Sequence, residues 1–278
     1  MALFFMSKEP VRTLTIGGSD SGGAAGIQAD LKTWTALGVY GMSAITAVTA
    51  QNSAVVEAVH YLEPKMVAAQ IDAVLSDYGA QAIKTGFLGQ PQLVQQTAIS
   101  LLAHDPTPLV VDPVLVNYKG QSMFTGEVTA AYRELLLPLA ALVTPNWREA
   151  ALLVGFEARS APQVEDLKRL GQAICAAGAR QVLITGIPGS DEKIVDYWYD
   201  GDKLLPFPHP RIETDNRHGS GDTLSAAICA NLALGMDMVN AILDAQAFTS
   251  RAMAAAAAWR IGRGHGPLDH SINQNQQG

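Results

Sequence analysis

The sequence predicts an α/β protein, a three-layer α/β/α fold whose central sheet is mainly parallel. Two observations predict it. Short β-rich segments alternate with longer segments of helical spacing along most of the chain. Several of the β-rich segments are apolar throughout, which is typical of a sheet covered on both faces. Such sheets bind ligands at the carboxyl ends of their strands, so functional residues are expected in the loops that follow strands.

The first two thirds of the chain contain the alternation. A strand in VRTLTIGG (11–18) is followed by a loop and by the helix GIQADLKTWTALG, and Pro64 and Pro91 each open a later helix. Further strands are predicted in YGMSAITAVTAQ, QAIKTGFLG, PLVVDPVLV, ALVTPN and QVLITG. Further helices are predicted in PKMVAAQIDAVLSDYG, PQLVQQTAISLLAHD, GEVTAAYRELLLPLA, WREAALLVG and VEDLKRLGQAICAAG.

The remaining segments complete one domain. An antiparallel hairpin is predicted from IVDYWYDG and KLLPFPH, around the turn Asp200-Gly201. Two helices follow, GDTLSAAICANLALG and MDMVNAILDAQAFTSRAMAAAAAWRIG, and then the polar tail SINQNQQG. The segment NSAVVEAVHYL is too short for another core element and is predicted to form a small flap. We expect a single domain over 1–278 with its core at about 11–267.

Composition favours small-molecule chemistry. The net charge is −7 and no basic cluster occurs, so a surface for nucleic acid is not expected. The apolar opening of MALFFMSKEP is too short for a signal peptide or a membrane span, so we expect a cytoplasmic protein without a membrane partner. The two cysteines and six histidines have no metal-ligand spacing, so any metal should be a hard ion held by oxygens.

The glycine-rich segment GGSDSGGAAG follows the first strand, where a dinucleotide-binding loop would lie. It lacks the GxGxxG offsets, and Ala24 follows Gly23 where a P-loop would need a lysine. Neither of those nucleotide motifs is therefore predicted. The alternative is a flexible turn that needs positive φ angles.

GSGD at 219–222 opens a helix. The backbone N–H groups of Gly219, Ser220 and Gly221 can form an anion cradle at the positive helix end. Asp222 is placed to accept a proton from a hydroxyl that attacks a phosphoryl group in that cradle. The alternative for Asp222 is a first-turn acid that only satisfies free amides.

TPNWRE at 144–149 puts Asn146 and Glu149 three residues apart at a helix start after a strand. Glu149 is a candidate for binding a Mg²⁺ water, and Asp112 in VVDP could serve the same metal. The alternative is a capping pair, with Asn146 as N-cap and Glu149 reaching back to it.

Six motifs, in this order, resemble the ribokinase-like superfamily and most closely the hydroxymethylpyrimidine and phosphohydroxymethylpyrimidine kinases of thiamine synthesis. They are GGSDSGGAAGIQADLKT, ITAVTAQN, IKTGFLG, VVDPVLV, TPNWREA and HGSGDTLSAA, within residues 11–267. The resemblance implies a ribokinase-like fold. It also implies ATP-dependent phosphorylation of the hydroxymethyl group of 4-amino-5-hydroxymethyl-2-methylpyrimidine, and then of the monophosphate.

The resemblance also implies roles for single residues. Substrate contacts fall on Gly18, Asp30, Gln51, Phe87 and Val114. Asp112 and Glu149 would bind the Mg-ATP phosphates, and Asn146 and Thr185 would bind the nucleotide. The anion hole would be formed by Gly219, Ser220 and Gly221. A homodimer is implied, and a monovalent cation near the cradle is left open.

The chain departs from the pyrimidine kinases at three positions. Asp222 replaces their usual cysteine, Thr185 their usual lysine and Phe87 their more frequent methionine. Aspartate and threonine at the first two positions resemble pyridoxal kinases, so a pyridoxal or pyridoxine kinase of vitamin B6 salvage is the enzymatic alternative. A third interpretation is a regulator that binds the ring without releasing ADP.

Overall fold

A computed structural model describes residues 9–105, 107–117, 120–157, 162–190 and 192–272. In these ranges the chain forms a nine-stranded sheet in the order β3-β2-β1-β4-β5-β6-β7-β8-β9. The strands are β1 Arg12–Asp20, β2 Tyr40–Gln51, β3 Val56–Tyr61, β4 Ala82–Thr85, β5 Leu109–Val111, β6 Leu142–Val143, β7 Val182–Pro188, β8 Lys193–Tyr199 and β9 Leu204–Pro210.

The helices pack on both faces of the sheet. They are α1 Gly26–Ala36, α2 Pro64–Asp77, α3 Pro91–Leu102, α4 Gly126–Ala131, α5 Trp147–Val154, α6 Val164–Ala176, α7 Ser220–Ala233 and α8 Met238–Ala256. In one buried cluster, helices α2, α3, α4, α5 and α6 pack on one face of the sheet. In the other, helices α1, α7 and α8 pack on the opposite face. The predicted α/β/α layering is therefore confirmed. Within the described residues, no helix combines the length and apolarity needed to cross a membrane.

The pairing of the strands confirms a mainly parallel sheet. Strands β2, β1, β4, β5, β6 and β7 are parallel neighbours. The antiparallel strands lie at the edges, with β3 paired to β2 and the β8–β9 hairpin paired to β7. The predicted flap is thus an edge strand. Because β1, β4 and β5 are parallel, they end toward one side of the sheet, and all three strands contact α7.

Two helices end well before the positions that the sequence predicts. In GEVTAAYRELLLPLA the α-helix gives way at Tyr132 to a π turn and then to a 3₁₀ turn containing Pro138, which has no N–H to continue the helix. The last helix ends at Ala256 and not near Gly262. There Asn216 donates from Nδ2 to the carbonyl oxygens of Ala256 (2.6 Å) and Trp259 (3.1 Å). The polar tail lies outside the described residues from 273 onward.

Candidate active site

Lys84 lies at the centre of the candidate site. It occupies the third position of β4, and its side chain is fully buried. Its Nζ lies 2.6 Å from Asp30 Oδ1, 3.5 Å from Asp222 Oδ1 and 3.8 Å from Asp112 Oδ2. Burial alone would lower the pKa of Lys84, but these carboxylates raise it above its ordinary value. The ammonium therefore stays charged in the interior.

Lys84 was not among the residues predicted for the site. A signal for it exists in IKTG, where a lysine lies within a short strand that is buried throughout. A buried lysine in such a strand needs a carboxylate partner, so the sequence does indicate that one lies nearby.

Asp30 lies on α1 beneath the site. Its side chain is 1% exposed, and its Oδ2 accepts a 2.6 Å hydrogen bond from Thr15 Oγ1 while Oδ1 faces Lys84. Burial raises the pKa of Asp30 above its ordinary value, although Lys84 acts in the opposite direction. Both carboxylate oxygens of Asp30 therefore bond to interior groups. The contact between Asp30 and a substrate stays a prediction.

Asp112 directly follows β5 and meets α7. Its Oδ2 accepts a hydrogen bond from Ser225 Oγ at 2.7 Å. Burial raises the pKa of Asp112, Lys84 opposes the shift, and the neighbouring Asp222 adds to it. Burial and the charge of Asp112 likewise raise the pKa of Glu149, to about 8. Asp112 and Glu149 therefore form an acidic pair in which Lys84 faces Asp112, while Glu149 accepts hydrogen bonds from backbone N–H groups.

Asn146 and Glu149 form the capping pair that the sequence left open. The Asn146 side chain accepts from the backbone N–H groups of Arg148 and Glu149, and Glu149 Oε2 accepts from Asn146 N at 3.0 Å. Glu149 Oε1 also accepts from Leu115 N at 3.0 Å. The capping role is therefore present, while the nucleotide and metal roles of the two residues stay predictions.

The acidic pair fits a hard divalent cation. Around Lys84 and Asp112 there are four carboxyl groups for one ammonium, so the site has an excess of negative charge. In the described part of the chain, no group of three metal-ligating side chains occurs. A cation here would therefore take its other ligands from phosphate oxygens and water, as Mg²⁺ commonly does.

The GSGD segment begins α7. Gly219 is the N-cap with φ +85°, and a Cβ at this position would overlap the carbonyl oxygen of Ala24 in the loop after β1. Ser220 N donates to Arg217 O at 3.2 Å, so this N–H is already bonded. A Cβ at Gly221 would meet no atom within 4 Å, so this residue faces open space at the positive end of the helix.

A cavity of about 730 Å³ lies beside this helix start. Its volume falls within the range of ligand sites in proteins. It is lined by residues from β7, from the segment after β9, and from α7 and α8, among them Thr185, Gly186, Ser220, Gly221, Gln246 and Met253. The predicted nucleotide residue Thr185 and two members of the predicted cradle therefore share one cavity.

The predicted ring contacts lie elsewhere around the same loops. A Cβ at Gly18 would be 3.0 Å from Phe87 Cδ1, and Phe87 stacks on Tyr61 with ring centroids 6.1 Å apart. Gln51 Nε2 lies 2.9 Å from Nε2 of His218, the residue that immediately precedes the GSGD segment. Val114 is half-buried after β5. His218 was not predicted, although it directly precedes the predicted cradle in the sequence.

The chain resembles known kinases over most of its length. A family profile described as phosphomethylpyrimidine kinase matches residues 20–269. A hydroxymethylpyrimidine/phosphomethylpyrimidine kinase of Rhizobium meliloti is 46% identical over 257 residues, covering 92% of this chain and 96% of that protein.

Solved structures of two kinds of kinase share the fold. The phosphomethylpyrimidine kinase of Clostridium difficile gives a TM-score of 0.77 at 37% identity, covering 87% of this chain and 99% of that one. An ADP complex of Bacillus subtilis pyridoxal kinase gives a TM-score of 0.85 at 34% identity, covering 95% of this chain and 99% of that one. The backbone alone thus does not separate the two substrates.

Proposed function

The chain belongs to the phosphomethylpyrimidine kinase family, and we propose that it transfers a phosphoryl group from ATP to the hydroxymethyl group of 4-amino-5-hydroxymethyl-2-methylpyrimidine. The monophosphate formed would be the acceptor in a second transfer. The double name of the Rhizobium meliloti relative supports both steps. In this proposal the enzyme serves thiamine biosynthesis.

The exposure of Asp222 carries the proposal. Its side chain is 17% exposed, against 1% for Asp30 and 9% for Asp112, so it is the most accessible of the three carboxylates around Lys84. It directly follows Gly221, which lines the large cavity. A carboxylate at this point is suited to take the proton of a hydroxyl that attacks a phosphoryl group in the cavity.

The reaction follows from this arrangement. The acceptor hydroxyl oxygen forms a bond to the γ-phosphorus of ATP while its proton passes to Asp222. The bond between the γ-phosphorus and the bridging oxygen breaks, and ADP leaves. The Gly221 N–H and the positive end of α7 face the negative charge that moves during transfer. Phe87 and Val114 would contact the flat ring, and Gln51 its polar edge.

Asp112 and Glu149 would hold Mg²⁺ beside the ATP phosphates. The ion would supply positive charge against the phosphate oxygens. Burial and the neighbouring Asp112 raise the pKa of Glu149 to about 8, and a cation bound between the two carboxylates would offset both effects. Thr185 would donate one hydrogen bond to the nucleotide, and Asn146 would orient the loop before α5.

A pyridoxal kinase is the second candidate. Asp222 and Thr185 favour it, because these residue types at the two positions resemble pyridoxal kinases, and the similarity to the Bacillus subtilis pyridoxal kinase supports it. A non-catalytic regulator is disfavoured by the accessible carboxylate beside the cavity, since ring binding alone does not require a base.

The proposal includes a cytoplasmic homodimer. Strand β3 is an edge strand whose residues are mostly exposed, and Val56 and Val59 are 48% and 39% accessible. An exposed strand at the edge of a sheet is suited to pair with a second chain.

One panel of assays tests the function. ADP release is measured with the pyrimidine alcohol, its monophosphate and pyridoxal as acceptors, for the wild type and for Asp222→Asn. We expect turnover of both pyrimidines, with kcat lower by on the order of 10²- to 10⁴-fold in the variant while ATP binding persists. Faster turnover of pyridoxal would replace the leading substrate. Ring binding without ADP release would support the regulator, and an unchanged kcat would return Asp222 to a capping role.

A further inference from the structure

We propose that Lys84 is a positioning residue that holds the Asp222 carboxylate in place for proton transfer. The inference rests on the proposed function, because it takes Asp222 as the base. Within the described residues, the ion pair recorded for Asp222 joins its Oδ1 to Lys84 Nζ at 3.5 Å. Lys84 therefore contacts the most accessible of the three carboxylates around it.

Lys84 cannot itself contact a phosphate in this arrangement. Its side chain is fully buried, and a Cβ at Gly86 would lie 3.6 Å from Nζ, so the backbone after β4 passes close over the ammonium. The cavity beside α7 is lined by Ser220 and Gly221 but not by Lys84. An effect of Lys84 on the reaction must therefore pass through a neighbouring side chain.

The ammonium is fixed from several elements. Asp30 on α1 binds it at 2.6 Å and is itself held by Thr15 of β1. Asp112, after β5, lies 3.8 Å from it and is held by Ser225 of α7. Because Ser225 is three residues after Asp222 on the same helix, this network ties the first turn of α7 to the sheet.

The cluster also tolerates the change of charge that the reaction brings. When Asp222 takes up the acceptor's proton, its carboxylate becomes neutral and its attraction to Lys84 weakens. The ammonium keeps Asp30 and Asp112 as partners, so it is not left buried without a counter-charge. A lysine with Asp222 as its sole partner would lack this property.

A purely structural role for Lys84 is the competing explanation, because its shortest contact is to the deeply buried Asp30. Lys84→Met alone would leave Asp30 unpaired and could unfold the chain. The double variant Lys84→Met/Asp30→Asn removes the buried ion pair as a unit, with little change in side-chain volume. Asp30→Asn is the matched reference, because it keeps the ammonium beside Asp222.

Kinetics on these folded variants test the proposal. Relative to Asp30→Asn, we expect Lys84→Met/Asp30→Asn to lose on the order of 10²-fold in kcat, the cost of a displaced catalytic group. The KM for ATP should stay within about two-fold, because Lys84 does not line the cavity. Equal kcat values for the two variants, with similar melting temperatures, would overturn the proposal and leave Lys84 a structural residue.

A double-mutant cycle that includes Asp222→Asn separates this inference from the proposed function. If Lys84 acts through Asp222, adding Lys84→Met/Asp30→Asn to Asp222→Asn should lower kcat little beyond the effect of Asp30→Asn in that background. Fully additive losses of kcat would mean that Lys84 acts independently of Asp222. That result would contradict the inference and leave Asp222 as the base. Wild-type turnover in Asp222→Asn would remove the base itself, and the positioning role with it.

Discussion

Asn146 and Glu149 each bind the other's backbone across the first turn of α5. Asn146 Oδ1 accepts from Glu149 N at 3.1 Å, and Glu149 Oε2 accepts from Asn146 N at 3.0 Å. This pair fixes the loop between β6 and α5, and Glu149 also binds the segment after β5 through Leu115 N. The loop that carries Asp112 and the loop that carries Asn146 are therefore joined by Glu149.

Loss of the cap should be visible in stability. We expect Asn146→Ala to lower the free energy of unfolding by about 1 kcal/mol, because two N–H groups of the first turn lose their acceptor. Asn146→Asp keeps an acceptor at the N-cap and should retain most of that stability. Urea unfolding of both variants measures the difference. Equal stability of the alanine and aspartate variants would contradict a capping role.

The close contact between Gly18 and Phe87 should control ring binding. In Gly18→Ala the new methyl group would lie 3.0 Å from Phe87 Cδ1, so we expect the aromatic ring to shift and the KM for the pyrimidine to rise several-fold. The KM for ATP should not change, because neither residue lines the large cavity.

Gly17→Ala is the matched control for this pocket. Its methyl group would find ordinary contacts, the nearest being Ile27 Cγ2 at 3.5 Å. A similar rise in the pyrimidine KM for both alanine variants would mean that general distortion of β1, and not the position of Phe87, is responsible.

Gly219 should tolerate alanine much less than another glycine of the same backbone conformation. Gly219 has φ +85° and no room for a Cβ against Ala24 O, whereas Gly235 has φ +87° and nothing within 4 Å of its Cβ position. We expect Gly235→Ala to cost about 1 kcal/mol from backbone strain alone. Gly219→Ala should cost more and also reduce kcat, since the GSGD segment must move. Thermal unfolding of the pair checks this, and equal losses would contradict the steric account.

His270 should make stability depend on pH. Burial lowers its pKa to about 4, and its Nε2 lies 2.9 Å from Thr223 Oγ1 behind the first turn of α7. Between pH 4 and the ordinary histidine pKa near 6.5, the unfolded chain binds the extra proton and the folded chain does not. Stability from this residue is therefore present above about pH 6.5 and falls as pH drops, by up to about 3 kcal/mol.

Unfolding of His270→Gln at pH 4 to 7 tests this dependence. Between pH 4 and 6.5 the wild type should gain stability relative to the variant as pH rises, because only the wild type has the buried histidine. The exposed His60 provides the control, and His60→Gln should keep the wild-type slope. A slope that His270→Gln leaves unchanged would contradict this role of His270. The carboxyl groups around Lys84 would not explain it, because their raised pKa values make stability fall as pH rises.

The order of the main elements could be predicted because local signals determine it. Apolar runs, helical spacing and proline at helix starts give β1 to α3 with boundaries close to those observed. Lys84 could not be assigned a role in this way, because its partners Asp30 and Asp222 lie 54 and 138 residues away in the chain. The end of α8 depends likewise on Asn216, 40 residues earlier.

In the candidate site, too, features formed within a short segment could be predicted, and contacts between distant residues could not. The GSGD segment and the Asn146–Glu149 pair were recognisable because each acts within one helical turn. The contact of Gln51 with His218 joins residues 167 apart, and only the folded chain brings them together. The flap was expected to be too short for a core element, and it gains its order from pairing along β2 as an edge strand.

The residues that line the large cavity and the predicted ring contacts lie in different parts of the chain. The cavity is lined by residues 185–253, whereas Gly18, Asp30, Gln51, Phe87 and Val114 all precede residue 115. We therefore expect mutations of the predicted ring contacts to change the preference for the acceptor while leaving the lining of the cavity unchanged. A chimera that joins the two halves of different vitamin kinases must preserve the fit of Gly219 against Ala24, where the halves meet.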